Sequence, residues 1–138
     1  MRIICFWSRR DVIRSIWSIT LRVSNLERSK QFYEDVLGLN KKYEYSTYVG
    51  FECGGVEIGL TPKEKPEIGR DAPSIQFFVD NVDEMYQTLK AKEVKFTQEP
   101  HDEPWGGRQA RFQDPDGNIL ELTQIKWKKY FQVSSEGA

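Results

Sequence analysis

Few side chains in this sequence can do nucleophilic, redox or metal chemistry. There is one histidine, His101, and there are two cysteines, Cys5 and Cys53. The cysteines form no C-x-x-C pair and are too few for a disulfide framework, so they read as free thiols. His101 stands shortly before Pro104-Trp105-Gly106-Gly107 and reads as a solvated loop residue. One such histidine completes neither a Ser-His-Asp nor a Cys-His arrangement. Carboxylates remain. Glu57 and Glu121 both fall in strand-like stretches. A carboxylate serves as a general base when burial or a like-charged neighbour brings its pKa toward neutrality. Two carboxylates with nearby hydroxyls would hold Mg or Mn only weakly, at a site more water than protein.

The elements that must position these groups are legible from periodicity. Ile19, Leu21 and Val23 alternate with Ser18, Thr20 and Arg22, which predicts a strand over 16–23. Ser24-Asn25-Leu26-Glu27 reads as a capping box, opening a helix whose apolar stripe is Leu26, Phe32, Tyr33, Val36 and Leu37; Gly38 suits its left-handed end. Strands are expected at 41–45, 47–53 and 56–61, with Gly54-Gly55 turning the last hairpin. A linker over 62–73 follows. The pattern then restarts: a strand at 74–79, a helix at 81–92 with Val82, Met85 and Leu89 inward, and strands at 94–97, 108–113 and 118–125. Asp114-Pro115-Asp116-Gly117 has the residue order of a type I turn. Residues 126–138 read as a polar tail with at most one helical turn, and 1–15 as an arm whose structure the sequence leaves open.

The restart is a repeat. Setting Ser18 on Ser74 aligns Ile19 with Ile75, Leu21 with Phe77, Asn25 with Asn81 and Glu27 with Asp83. Setting Gly55 on Gly117 aligns Ile58 with Leu120, Gly59 with Glu121 and Thr61 with Thr123. Both halves run strand, helix, three strands, which predicts an α+β domain over 16–125 made of two tandem βαβββ modules, about 16–61 and 74–125. The chain has 138 residues with 20 Lys and Arg against 21 Asp and Glu, a net charge of −1. That lacks the basic surplus of a large nucleic-acid footprint, and no apolar run approaches the ~20 residues of a membrane span. The apolar run at residues 3–7 is shorter than a signal-peptide core of about 7–15 residues. The expectation is a cytoplasmic protein with neither nucleic acid nor membrane as partner.

Leu21-Arg22-Val23-Ser24-Asn25-Leu26-Glu27, Phe32-Tyr33-Glu34-Asp35-Val36-Leu37-Gly38, Phe78-Val79-Asp80-Asn81-Val82-Asp83 and Asp114-Pro115-Asp116-Gly117-Asn118-Ile119-Leu120-Glu121-Leu122 together resemble the vicinal oxygen chelate superfamily, the glyoxalase/bleomycin-resistance/dioxygenase group. The resemblance implies that the modules form an open, barrel-like cup with helices outside. It also implies that a metal, where present, is held by the first and last strand of each module. Those positions are Ser18, Gly59, Ser74 and Glu121 here, and only Glu121 is a good ligand for a divalent ion. A catalytic transition-metal site needs about three protein ligands, so no metal and no cofactor are expected.

If Ile19, Leu21 and Val23 pack under the helices, the concave side receives Ser18, Thr20, Arg22, Ser74, Gln76, Phe78, Glu57, Thr61, Ile119, Glu121 and Thr123. Such a mixture of apolar wall and placed polar groups suits a ligand pocket. The alternative is that Arg22 and Glu121 pair across the cup. Trp105, on a glycine-flanked loop, is a candidate lid. Arg108 is a candidate anion contact or a plain surface arginine. Two functions follow: a metal-free homodimeric protein binding a small organic molecule, or a lyase, isomerase or dioxygenase-type enzyme using Glu121 and Glu57 as base or partial metal ligands. Sheet edges and a concave face left to be covered favour the dimer.

Overall fold

The computed structural model describes residues 16–66, 68 and 73–136, with side chains described to residue 132. The N-terminal arm and much of the expected linker lie outside the described residues. Module one comprises β1 (Ser18–Val23), α1 (Leu26–Gln31) continued by a π-helical turn (Phe32–Val36), β2 (Asn40–Tyr45), β3 (Tyr48–Cys53) and β4 (Val56–Pro62). Module two comprises β5 (Ile75–Phe78), α2 (Val82–Ala91), β6 (Phe96–Asp102), β7 (Gly107–Gln113) and β8 (Ile119–Ile125), followed by α3 (Trp127–Glu136). Each module builds a four-stranded mixed sheet, ordered β1-β4-β3-β2 and β5-β8-β7-β6. The sheets are not closed into a barrel.

The register reproduces the repeat. Thr20 lies beside Gly59 as Gln76 lies beside Glu121, and Ile19 beside Ile58 as Ile75 beside Leu120. The helix entries also match. Asn25 and Asn81 are extended, with φ −138° and −143°, and each side chain accepts from a backbone N–H three residues on, Arg28 and Glu84. These caps each satisfy one of the amide groups a helix start leaves unpaired. Asn25, not Ser24, is therefore the cap, and Ser24 Oγ instead accepts from Arg28 Nη2 at 3.0 Å.

Several elements depart from the sequence expectation. The first helix loosens into a π turn closed by Leu37 N–H to Phe32 O, and Leu39 N–H to Tyr33 O completes a Schellman-type end across Gly38 at φ +77°. In α2 the inward residues are Val82, Tyr86 and Leu89, while Met85 is exposed. Tyr86 packs edge-on against Phe96, ring centroids 4.6 Å apart, so the aromatic takes the inward place. Strand β6 runs on through His101, so that residue is not in a loop. The expected polar tail is a ten-residue helix, because Trp127, Tyr130 and Phe131 recur at helical spacing and pack on one another.

The modules are joined at the turn after β7. Gly117 N–H donates to Asp114 O, and the buried Asp114 carboxylate accepts from Asp116 N, Asn118 N and Asn118 Nδ2 at 2.8–2.9 Å. From module one the fully buried Tyr33 hydroxyl donates to Asp114 Oδ2 at 2.9 Å. Asp116 Oδ1 accepts from Ser24 N at 3.0 Å and pairs with Arg28 at 3.4 Å. Burial, then Asp114 beside it, hold the Tyr33 phenol protonated far above its usual range, so it stays a donor.

Tyr33→Phe leaves one Asp114 lone pair unmet in a buried place. It should lower unfolding stability by about 1–3 kcal/mol in urea titrations. A loss under about 0.5 kcal/mol would mean that this bond does not hold the modules together.

Candidate functional site

The polar side chains expected on the concave face gather into two clusters, one per sheet. On the first sheet, Glu57 of β4 lies opposite Ser18 of β1 and Glu52 of β3. Its carboxylate is almost fully buried and accepts from the Tyr43 and Tyr48 hydroxyls, while Lys42 Nζ approaches Oε1 to 3.1 Å. Thr20 bonds to the Tyr48 phenol. Two glycines make this packing possible. A Cβ on Gly59 would run into the Tyr48 phenol, and one on Gly50 would meet the Tyr43 ring and the Glu57 carboxyl. The position that the repeat pairs with Glu121 is therefore filled by an aromatic hydroxyl reaching over bare backbone.

The electrostatics of the cluster follow. Hydrogen bonds from Tyr43 and Tyr48, with Lys42 beside them, outweigh desolvation and hold Glu57 below the usual carboxylate range. The same bond to Glu57, with some desolvation, pushes the Tyr43 phenol up to about 12. Burial and then Glu57 raise Tyr48.

On the second sheet, Glu121 of β8 is equally buried. Ser74 Oγ donates to its Oε1 at 3.1 Å, and Arg111 of β7 sends Nε and Nη2 to Oε2 at 3.3 and 3.1 Å. Beside it Gln109 Nε2 donates to both Gln76 Oε1 and Thr123 Oγ1 at 3.0 Å, and Thr123 Oγ1 donates to Gln76 Oε1 at 3.2 Å. Ser74, Gln76, Glu121 and Thr123 are thus brought together as the alternation implies. Arg111 and Gln109 were missed, although counting outward from the Asp114–Gly117 turn sets Arg111 opposite Glu121 and Gln109 opposite Thr123.

Other expected residues lie apart from both clusters. Arg22 is exposed, and among the described residues it has no ion-pair partner, so it does not pair with Glu121. Arg108 spends its fork on Asp83, at 2.9 Å through both Nε and Nη2, and reaches Asp102 at 3.1 Å. Trp105 is half-buried, its ring over Gly107 and edge-on to Tyr130 of α3. Lys126 N–H donates to Gly106 O, so α3 ties down the loop in which a mobile lid was expected. Phe78 is exposed and touches Trp127. His101 has Nδ1 2.9 Å from Glu99 O and Nε2 2.9 Å from Glu103 Oε1, so both ring nitrogens are occupied. Among the described residues no three His, Cys, Asp or Glu side chains converge as a metal site, and no hydrogen bond or ion pair links the Glu57 cluster to the Glu121 cluster. No helix of the described residues is long and apolar enough to cross a membrane.

Because Glu57 holds the phenolic proton of Tyr43 in place, an ultraviolet titration of the folded protein should show one tyrosine ionising near pH 12. Glu57→Gln should return it toward about 10. The raised folded value means the stability this contact gives is complete below pH 10 and is lost as pH climbs toward 12. Identical titrations for the two proteins would exclude the contact.

Comparison with known proteins adds to this geometry. The model of the Glyoxalase/Bleomycin resistance protein/Dioxygenase superfamily matches residues 15–122. Uncharacterized protein YraH of Bacillus subtilis is 34% identical over 122 residues, covering 78% of this chain and 95% of its own. Metallothiol transferase FosB of Staphylococcus haemolyticus is 31% identical, covering 80% and 84%. Lactoylglutathione lyase of Haemophilus influenzae is 32% identical, covering 79% and 91%. Among solved structures, FosX of Listeria monocytogenes, complexed with Mn(II) and sulfate, superposes with a TM-score of 0.75 at 23% identity, over 89% of this chain and 99% of its own. At that identity the likeness is one of fold.

Proposed function

The chain belongs to the Glyoxalase/Bleomycin resistance protein/Dioxygenase superfamily, and from that premise we propose that it binds a small organic molecule on its polar sheet faces without a resident transition metal. The observation that carries this reading is that both buried carboxylates are already satisfied by donors of their own chain. Glu121 is held by Arg111 and Ser74, and Glu57 by two phenols and Lys42. Relatives named as a metallothiol transferase and as lactoylglutathione lyases invite a metalloenzyme reading. The positions that the resemblance assigns to a metal offer two hydroxyls, a glycine and a carboxylate neutralised by arginine, a poor donor set for Zn, Ni or Fe. That set does not fit a transition metal. Nor does Glu57 suit a general base, since its surroundings stabilise the anion and so weaken its basicity.

What the faces offer a ligand is hydrogen bonding and positive charge. Arg22 is exposed and uncommitted among the described residues, Arg111 is partly exposed beside Glu121, and Gln76 and Phe78 stand on the edge strand β5. An anionic group with an aromatic or apolar body matches that set. Arg108 and Trp105, bound elsewhere, are not assigned to it. Strands β1 and β5 each end a sheet, and we infer a two-fold dimer that covers such edges.

A thermal-shift screen of small aromatic and aliphatic anions, run with and without Zn, Ni and Mn, tests the proposal. A ligand at a hundred times its Kd adds about 2.7 kcal/mol, several degrees of melting temperature, and Arg22→Ala or Arg111→Ala should weaken it at least tenfold. Metal analysis of the purified protein should find far less than one transition-metal ion per chain. Near-stoichiometric metal, lost on Glu121→Ala, would overturn the reading.

A further inference from the structure

A cavity of about 580 Å³ opens between the modules, a volume within the range of about 300–1,000 Å³ usual for ligand pockets. Ile19, Leu37 and Ile58 line it from module one, and Phe77, Leu89 and Leu122 from module two. Among the described residues no charged side chain lines it, and its one amide, Gln76, is already bonded to Gln109 and Thr123. An apolar cavity of this kind stays dry and gains from an apolar occupant, because its walls otherwise lack contacts.

The cavity is continuous with the polar face. Strand β5 ends its sheet, and residues from both of its sides line the hollow. Ile75 and Phe77 pack against the core, while Gln76 and Phe78 are exposed. The cavity therefore wraps round the edge of β5. On the polar side Gln76 lies beside Glu121, and Arg111 lies beside Glu121 on the strand beyond. Two strand spacings set Arg111 about 10 Å from Gln76. Arg111 gives Nε and Nη2 to Glu121, and its Nη1 has no partner among the described residues. The opposite rim has the other sign. Past Phe78, Val79 and Met85 stand the exposed carboxylates of Asp80 and Glu84, which repel an anion. A negative head group therefore belongs at Arg111, with its tail passing over Gln76 into the hollow.

Taking the polar face as the place of the anion, as proposed, we infer that the intermodule cavity holds the apolar body of the same ligand. An extended chain advances about 1.2 Å per bond, so roughly eight bonds carry it from Arg111 to the rim at Gln76. The ligand class is thus a long-tailed organic anion, such as an aliphatic carboxylate of about ten carbons or more, whose end methylenes are buried among Ile19, Ile58, Phe77 and Leu122.

Titration calorimetry of the full chain with hexanoate, octanoate, decanoate and dodecanoate, each kept below its micelle concentration, tests this. Affinity should change little up to octanoate and then rise about fourfold with each further methylene. Cys53 lines the cavity and reports on its occupancy. Its modification by N-ethylmaleimide should slow at least tenfold in dodecanoate at a hundred times the Kd, and not in hexanoate at equal saturation. Peptide mapping separates it from Cys5. Affinity that is flat or undetectable across the series, or a Cys53 modified equally fast with and without dodecanoate, would overturn the proposal. If the carboxylates in that case still bind and weaken in Arg111→Ala, the polar-face reading stands without the cavity. Decanol binding as tightly as decanoate, with Cys53 protected, would support the cavity and overturn the anionic reading of the face.

Discussion

The one fully buried side-chain hydrogen bond between the two modules, among the described residues, ends on a single carboxylate. Asp114 closes the turn between β7 and β8 and, on its other oxygen, accepts a hydrogen bond from the Tyr33 hydroxyl of the far module. Tyr33 reaches it from the π turn, in which the first helix opens its hydrogen bonding by one residue before Gly38 ends it. Asp116, one turn position further, receives the start of the same helix through Ser24 and Arg28. A four-residue turn whose composition accounts for its own shape is thus also the joint between two sheets.

The second constraint is the way each sheet satisfies a buried charge. An isolated buried carboxylate costs several kcal/mol, so a fold that keeps one must supply donors. The two modules do so differently at equivalent places. Module two keeps the carboxylate at the repeat position, Glu121, and sets an arginine opposite it across the β7–β8 pair. Module one has glycine there, moves the carboxylate two residues back along the strand to Glu57, and brings two tyrosines and a lysine over the bare backbone. Each solution neutralises its own charge within one sheet. That satisfies the fold, and it is the ground on which we propose that neither carboxylate serves a metal or a reacting proton.

What could be read in advance was whatever local chemistry decides. The start of the first helix within Ser24–Glu27, the left-handed Gly38 and the Gly54-Gly55 turn, with φ of +59° and +93°, each rest on a few neighbouring residues, although the cap itself falls on Asn25 and not on Ser24. The pairing of Gly59 with Glu121 rests on the repeat. What escaped was decided at a distance or by competition. Arg111 was legible in principle from the turn count, but Arg22 drew attention because it shares the alternation of β1. Met85 and Tyr86 both fit a helical stripe, and only the Phe96 ring across the packing interface selects the tyrosine. The π turn has its reason in Asp114, some eighty residues away. The helix formed by 127–136 turns on Trp127, Tyr130 and Phe131 packing beside Trp105, which converts the expected lid into a fixed corner.

The central claim is that the buried carboxylates are spent on their own chain. The most direct test is the ionisation of Glu57, followed by carbon-detected NMR of the side-chain carboxyl across the acid range. The account predicts a midpoint below the ordinary glutamate value of about 4.3, and in Tyr43→Phe/Tyr48→Phe protein a move back up toward it. The stability that this group contributes should then be present above pH 4.3 and fade as pH falls through the lowered midpoint. A Glu57 carboxyl that titrates near neutrality would contradict the account, because it would describe a base poised for catalysis and not a charge held fast by its neighbours.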